Sequence, residues 1–186
     1  MNYFKHFRCT SCDALYARDE LRYLCPVCSQ DYKPGMPLPG VLETVFDYAA
    51  IGARWKEIQA SGSQHYAKAR MDWLCDHFSA VERKHYPPLP VGETPLFEVF
   101  SLGVDLGMDR LFIKNDGVNP SGSYKDRASQ LVVAEANRLG IEEIVCASTG
   151  NAASSLACLC ASAGKKAVIF APAKAPVAKL VQILVH

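Results

Sequence analysis

Four cysteines near the amino terminus restrict this chain more than any other feature. Cys9-x2-Cys12 and Cys25-x2-Cys28 form two CxxC pairs separated by 12 residues. Two residues between thiols let both sulfurs of a pair reach one tetrahedral zinc ion, at about 2.3 Å, from a tight turn. Four thiolates fill all four positions, so Cys9, Cys12, Cys25 and Cys28 predict a structural zinc site with no open place for substrate. Cys25-Pro26-Val27-Cys28 supports the turn, with Pro at its second position. A redox CxxC would be single and would open a helix after a strand, which neither pair does. The other four cysteines, Cys75, Cys146, Cys158 and Cys160, sit in apolar runs where a thiol packs as a small hydrophobe. This usage predicts a reducing, cytoplasmic setting rather than a disulfide framework.

The chain of 186 residues has 20 Lys and Arg against 19 Asp and Glu, a net charge of +1. Such a balance predicts no nucleic-acid partner, and the cysteine segment itself mixes Lys5, Arg8, Arg18 and Arg22 with Asp13, Asp19 and Glu20. Hydrophobic residues at 49% and charged ones at 21% suit a folded chain with a sizeable core. The longest uncharged stretch, Ile144–Gly164, carries too many Ser, Thr and Asn groups for lipid, so no membrane partner is expected.

Texture divides the chain into residues 1–33, a four-cysteine zinc-ribbon-like module; 34–90, a linker and helical extension; and 91–186, an α/β portion. Residues 34–40, PGMPLPG, read as a hinge. Tyr66, Ala69, Trp73, Leu74, His77, Phe78 and Val81 recur at helical spacing within a segment, 41–85, predicted helical. Pro87, Pro88 and Pro90 break it. Beyond them, strands at 111–114, 143–147 and 167–170 alternate with helices at 126–139, 152–163 and 175–185. Ala128, Leu131, Val132, Glu135 and Leu139 are predicted to share a face, with Gly140 closing that helix. Apolar strands alternating with helices predict a parallel sheet covered on both sides. The pattern stops at His186 inside a predicted helix, after so few strands that a truncated chain is expected; a helix that frays at the terminus is the other reading.

Two loops carry the chemistry. Asn119-Pro120-Ser121-Gly122-Ser123-Tyr124-Lys125-Asp126-Arg127 follows a strand and opens a helix, with Ser121 or Ser123 available as a cap. Lys125 then lies at the helix amino terminus, where the dipole disfavours an ammonium and favours the nucleophilic neutral amine. A solvated lysine at a helix start is the other reading. Ser148-Thr149-Gly150-Asn151-Ala152 also joins a strand to a helix, its amides open to an anion and Ser148 or Thr149 available as a cap. It reads equally as a well-capped turn.

Gly92-Glu93-Thr94-Pro95-Leu96, then NPSGSYKDR, then STGNAA resemble the fold-type II pyridoxal-phosphate enzymes. Within that family they are most similar to the threonine synthases that carry an amino-terminal cysteine cluster. The resemblance spans residues 90–186 and implies the amino-terminal part of that fold. It implies Lys125 as the catalytic Schiff-base lysine and Asn151 as donor to the cofactor's 3′-hydroxyl. Ser148, Thr149, Asn151 and Ala152 would hold the substrate carboxylate, and Lys114 the substrate phosphate. The implied reaction converts O-phosphohomoserine and water to threonine and phosphate, so the partner is a small phosphorylated amino acid; a homodimer is allowed. Tyr124 stands where Phe is frequent, and Asn115-Asp116 where many relatives have Glu. The family's Gly-rich cofactor-phosphate loop lies in its later half and does not occur here, so the chain alone is expected to bind cofactor weakly and not to turn over. Cysteate synthase, or a related elimination or replacement enzyme, shares these loops. A non-catalytic zinc-ribbon binding module is the alternative of another class; the ribbon counts against a serine or threonine dehydratase.

Overall fold

The computed structural model describes residues 3–20, 23–60 and 78–186. The chain forms two compact units, Met1–Glu82 and Arg83–His186. In the first, β1 (Phe4–Cys9) is the central strand of an antiparallel sheet, flanked by β2 (Leu15–Tyr16) and β3 (Leu42–Phe46). Register runs Phe7 to Tyr16 on one side and Cys9 to Leu42 on the other. Thus the sheet of the cysteine module continues past residue 33, and the segment read as a linker supplies its third strand. Residues 34–40 do not act as a free hinge. Gly40 returns to the cysteines, accepting from the Cys25 amide at 2.8 Å and donating to the Ser11 hydroxyl at 3.1 Å.

Only part of the helical reading of 41–85 matches the structure. Residues 42–46 are strand, because β-branched and aromatic side chains there pair with β1; α1 spans Tyr48–Ala60, and a single 3-10 turn spans Arg83–His85. The proposed stripe at Tyr66, Ala69, Trp73, Leu74 and His77 lies outside the described residues. Phe78 and Val81, its last members, belong to no helix; Phe78 stacks edge-on to Phe46 with centroids 5.9 Å apart.

The second unit is mixed α/β. β4 (Leu96–Glu98), α2 (Phe100–Asp105) and β5 (Phe112–Lys114) come first. Then follow α3 (Asp126–Leu139), β6 (Glu143–Ala147), α4 (Asn151–Ser162), β7 (Lys166–Phe170) and α5 (Val177–Leu184). β6 and β7 are parallel, paired from Glu143 with Lys166 to Ala147 with Phe170. The expected strand at 111–114 does not join them. β5 pairs with β4, antiparallel, and the Val99 amide to Leu111 and the Asn115 amide to Pro95 extend that ladder at both ends.

β6 buries alternate residues. Ile144 and Cys146 pack against the core of Val91, Val133, Leu156, Leu159 and Cys160, whereas Val145 on the other face is 63% exposed. The sheet therefore shows one covered face within this unit, not the two expected. α3 matches its predicted limits and ends on Gly140 at φ 66°, whose left-handed conformation lets the Ile141 amide return to the Ala136 carbonyl. Its buried face differs from the predicted one. Asp126, Ser129, Val133 and Ala136 face inward, and Leu131 and Val132 are exposed.

The reason is the neighbour. α4 is built of small residues, buried continuously from Ala153 to Cys160, so two backbones approach closely where bulky side chains would hold them apart. At the contact, the Ser155 hydroxyl donates to that of Ser129 at 2.7 Å, both groups being buried. Leu159 of the same helix, fully buried in the core with Val133, contributes about 1.5–3 kcal/mol by leaving water. Ser155→Ala strands a buried partner and is expected to cost about 1–3 kcal/mol in urea unfolding, while adding Ser129→Ala costs clearly less than the sum of the single variants.

Candidate active site and metal centre

The lysine loop is a sequence of turns fixed by its own side chains. The Gly122 amide donates to the Asn119 carbonyl at 2.7 Å, closing a turn with Pro120 in its second position. Gly122, at φ 73°, then redirects the chain into α3. Asp126, fully buried, reaches back: it accepts from the Ser121 amide at 2.8 Å and from the Ser121 hydroxyl. Ser121 therefore does not cap α3. The Ser123 hydroxyl accepts from the Lys125 amide at 3.2 Å, and Lys125 is the residue that precedes the helix. Its ammonium lies 4.7 Å from the centroid of the Tyr124 ring.

A second set of bonds ties this loop to residues 92–94. The Asn119 side chain accepts from the Gly92 amide and donates to the Asp116 carbonyl, both at 2.9 Å. Asp116 takes Arg127 bidentately, at 2.6 and 2.8 Å, and the Thr94 hydroxyl at 2.7 Å. The Arg127 guanidinium, then the Thr94 hydroxyl, hold the Asp116 carboxyl well below the usual carboxylate range. Lys114 donates to the carbonyls of Gly92, at 3.4 Å, and of Thr94. Two of its three ammonium hydrogens are thus spent on the backbone, which leaves one for a ligand.

The second loop leaves β6 at its carboxyl end, the edge where open parallel sheets take ligands. The Ser148 amide donates to Phe170 at 3.1 Å, and its hydroxyl accepts from the Gly150 amide at 3.2 Å. Neither Ser148 nor Thr149 caps α4; Gly150 is the residue before it, and no side chain caps the helix. Asn151 is exposed and Ala152 half-buried in the first turn. The Ser129–Ser155 bond brings the two loops into relation. Ser129 lies one turn after Lys125, its amide bonded to the Lys125 carbonyl at 3.0 Å, and Ser155 lies one turn after Asn151. Lys125 and Asn151 each stand one helical turn from a shared contact.

Asp116, Arg127, Thr94, Asn119 and Asp126 were not singled out as functional residues by the sequence reading. Their signal was present, since Arg127 and Asp126 lie in the motif itself and Thr94 in the first quoted segment. What a sequence does not display is which carboxylate takes which partner.

In the first unit, Cys9, Cys12, Cys25 and Cys28 converge, their sulfurs all within 4.8 Å of one another. The Cys9 and Cys28 sulfurs are 3.9 Å apart and those of Cys12 and Cys25 3.8 Å. A tetrahedron with metal–sulfur bonds of about 2.3 Å has edges of about 3.8 Å, so the thiols are spaced to hold a metal ion. Gly40 makes room: at φ 70°, a Cβ there would lie 3.1 Å from the Cβ atoms of both Cys25 and Cys28. Among the described residues, no helix is long and apolar enough to cross a membrane.

Residues 88–186 match the family described as "Pyridoxal-phosphate dependent enzyme". The chain belongs to that family. Its curated relatives include the threonine synthase of Methanosarcina acetivorans, 33% identical over 97% of this chain and 40% of the relative. The threonine synthase of Methanocaldococcus jannaschii is also 33% identical, over 96% of this chain and 41% of the relative. That of Bacillus sp. (strain ULM1) is 43% identical over 44% of this chain and 23% of the relative. The chain thus spans about two fifths of the length of the first two relatives. Among solved structures, the processed form of threonine deaminase isoform 2 from Solanum lycopersicum matches with TM-score 0.48 and 20% identity, over 88% of this chain and 38% of that one.

Acid should expose the Asp116 pair. A carboxyl depressed in the folded state stabilises above its unfolded value of about 3.9, and that contribution is lost as pH falls from there toward the folded value. Asp116→Asn is therefore expected to melt lower at pH 7 and to lose less on acidification below about pH 4 than the unaltered protein, in calorimetric scans against pH.

Proposed function

We propose that this chain provides the lysine-bearing portion of a threonine synthase, acting on O-phosphohomoserine. The observation that carries the reading is the pairing of two helix starts, Lys125 before α3 and Asn151 at the head of the uncapped α4, through one buried hydroxyl contact. Two relatives named threonine synthase, each matching nearly the whole chain, support this reading.

Pyridoxal phosphate, when bound, supplies an electron sink for charge that develops on the substrate carbons. In this reading the Lys125 amine would hold the cofactor and would remove and return protons at the substrate as general base and acid. Asn151 would donate to the cofactor hydroxyl. The first-turn amides of α4, with Ser148 and Thr149, hold the substrate carboxylate, the positive end of the helix favouring the anion. Lys114 offers its remaining ammonium hydrogen to the substrate phosphate. The Asp116–Arg127 pair keeps the lysine loop in place against the 92–94 segment. In the first unit, the four thiolates would hold zinc, closed to substrate and therefore structural.

Treated with pyridoxal phosphate and reduced with borohydride, the protein is expected to carry label on Lys125 ahead of every other lysine, and Lys125→Ala to lose it. Peptide mapping that finds the label spread over surface lysines refutes that assignment. Substrate choice is read on a fusion of this chain to the part of the Methanosarcina acetivorans relative that the match leaves out. Phosphate release from O-phosphohomoserine but not O-phosphoserine is expected, and the reverse preference points to cysteate synthesis. Metal analysis is expected to give one zinc per chain, and a chelator that removes it should melt the β1–β3 sheet, because such sites supply much of their own folding free energy. A sheet unchanged by chelation counts against the zinc.

A further inference from the structure

Tyr16, at the end of β2, is used by none of the chemistry above. It is only 9% exposed, and its hydroxyl lies 3.0 Å from the sulfur of Cys25, which is itself fully buried. We propose that Tyr16 is a positioning residue of the metal centre, its hydroxyl donating to the Cys25 sulfur and holding that thiolate on the metal. The inference rests on the metal reading of the four cysteines.

Chemistry fixes the direction of the bond. A thiolate on a cation has no proton to give, so the phenol donates. The need for a donor is also physical, since four thiolates carry more negative charge than a divalent ion neutralises, and two of them, Cys9 and Cys25, are fully buried. The sulfurs meet this need differently. Cys12 is exposed and Cys28 half-buried, so both are open to water, and Cys9 takes the Ser11 amide at 3.4 Å. Cys25 has no exposure; besides the Val27 and Cys28 amides of its own turn, the Tyr16 hydroxyl is its side-chain donor, and its backbone has little freedom to move. Its amide is bonded to Gly40 at 2.8 Å, and its carbonyl to the Ser29 amide at 3.1 Å and the Ser29 hydroxyl at 2.7 Å. The Gly40 backbone closes its other side. Tyr16 is held as firmly, by register with Phe7 in the sheet. Two fixed groups at hydrogen-bond distance are a built contact, and outer partners of this kind set the basicity and orientation of metal ligands.

The test compares the full chain with its Tyr16→Phe variant, loaded with zinc or with cobalt(II). Competition with a chromophoric chelator is expected to show zinc affinity about tenfold or more weaker in the variant. The sulfur-to-cobalt charge-transfer band is expected to move to longer wavelength, because a sulfur relieved of its hydrogen bond gives up electrons more readily. A merely structural tyrosine would not move that band. Tyr32→Phe, at an exposed tyrosine of the same unit, should change neither reading. If Tyr16→Phe does not fold, 3-fluorotyrosine placed at position 16 keeps the shape and strengthens the donor, and the band should move to shorter wavelength. Unchanged affinity and an unchanged band in Tyr16→Phe, or an unmoved band with the fluorinated residue, overturn the proposal. If the unaltered chain takes up neither ion, the metal reading itself fails and the proposal falls with it.

Discussion

Close approach of α3 and α4 is the constraint on which the α/β unit depends. It requires small residues along one helix, and the Ala, Ser and Cys positions from Ala153 to Cys160 meet that requirement. A contact made only of small apolar groups would leave the two helices free to slide, since little distinguishes one register from the next. The Ser129–Ser155 bond removes that freedom, because any shift would leave a buried hydroxyl without a partner. Both loops end one turn from the same point, so their relation to each other follows from the helix contact and not from the loops.

Two carboxylates do the corresponding work for the lysine loop, Asp126 inside it and Asp116 just before it. Asp126 is sealed off from water and satisfied by Ser121, a neighbour five residues away, so it sets the local path of the chain. Asp116 is partly exposed and binds a guanidinium and a hydroxyl from distant segments, so it sets where the loop stands. Bidentate pairing suits that task better than a single contact, because it fixes orientation as well as distance.

Much of this was legible beforehand. The limits of α3 and β6 followed from apolar runs bounded by Asp126, Gly140 and Ser148, with the Gly140 cap in agreement. The cysteine cluster followed from spacing alone. Three things were hidden. The inward face of α3 carries Ser129 and Ala136 in place of Leu131 and Val132, because packing against a small-residue helix outranks hydrophobicity. The partner of β5 is the three-residue β4, too short to display a period. And Leu42–Phe46 becomes strand because β1 stands ready to pair with it, a non-local cause that a helical window cannot register. Of the site, the motif residues could be named from the sequence, but not the bonds of Asp116 or the nearness of Tyr16 to Cys25.

The turn at Gly40 also divides the first unit into stretches of unequal freedom. Residues 31–38 are all exposed, whereas Gly40 is buried against two cysteines, and the chain pairs with β1 from Leu42 onward. Lengthening the exposed stretch adds only a slowly growing loop-closure cost. A residue inserted between Gly40 and Leu42 would instead invert the facing of every side chain in β3. Variation in length among chains built this way is thus easiest on one side of a single glycine, and that stretch is where a peptide tag or a foreign epitope could be carried without touching the cysteine cluster.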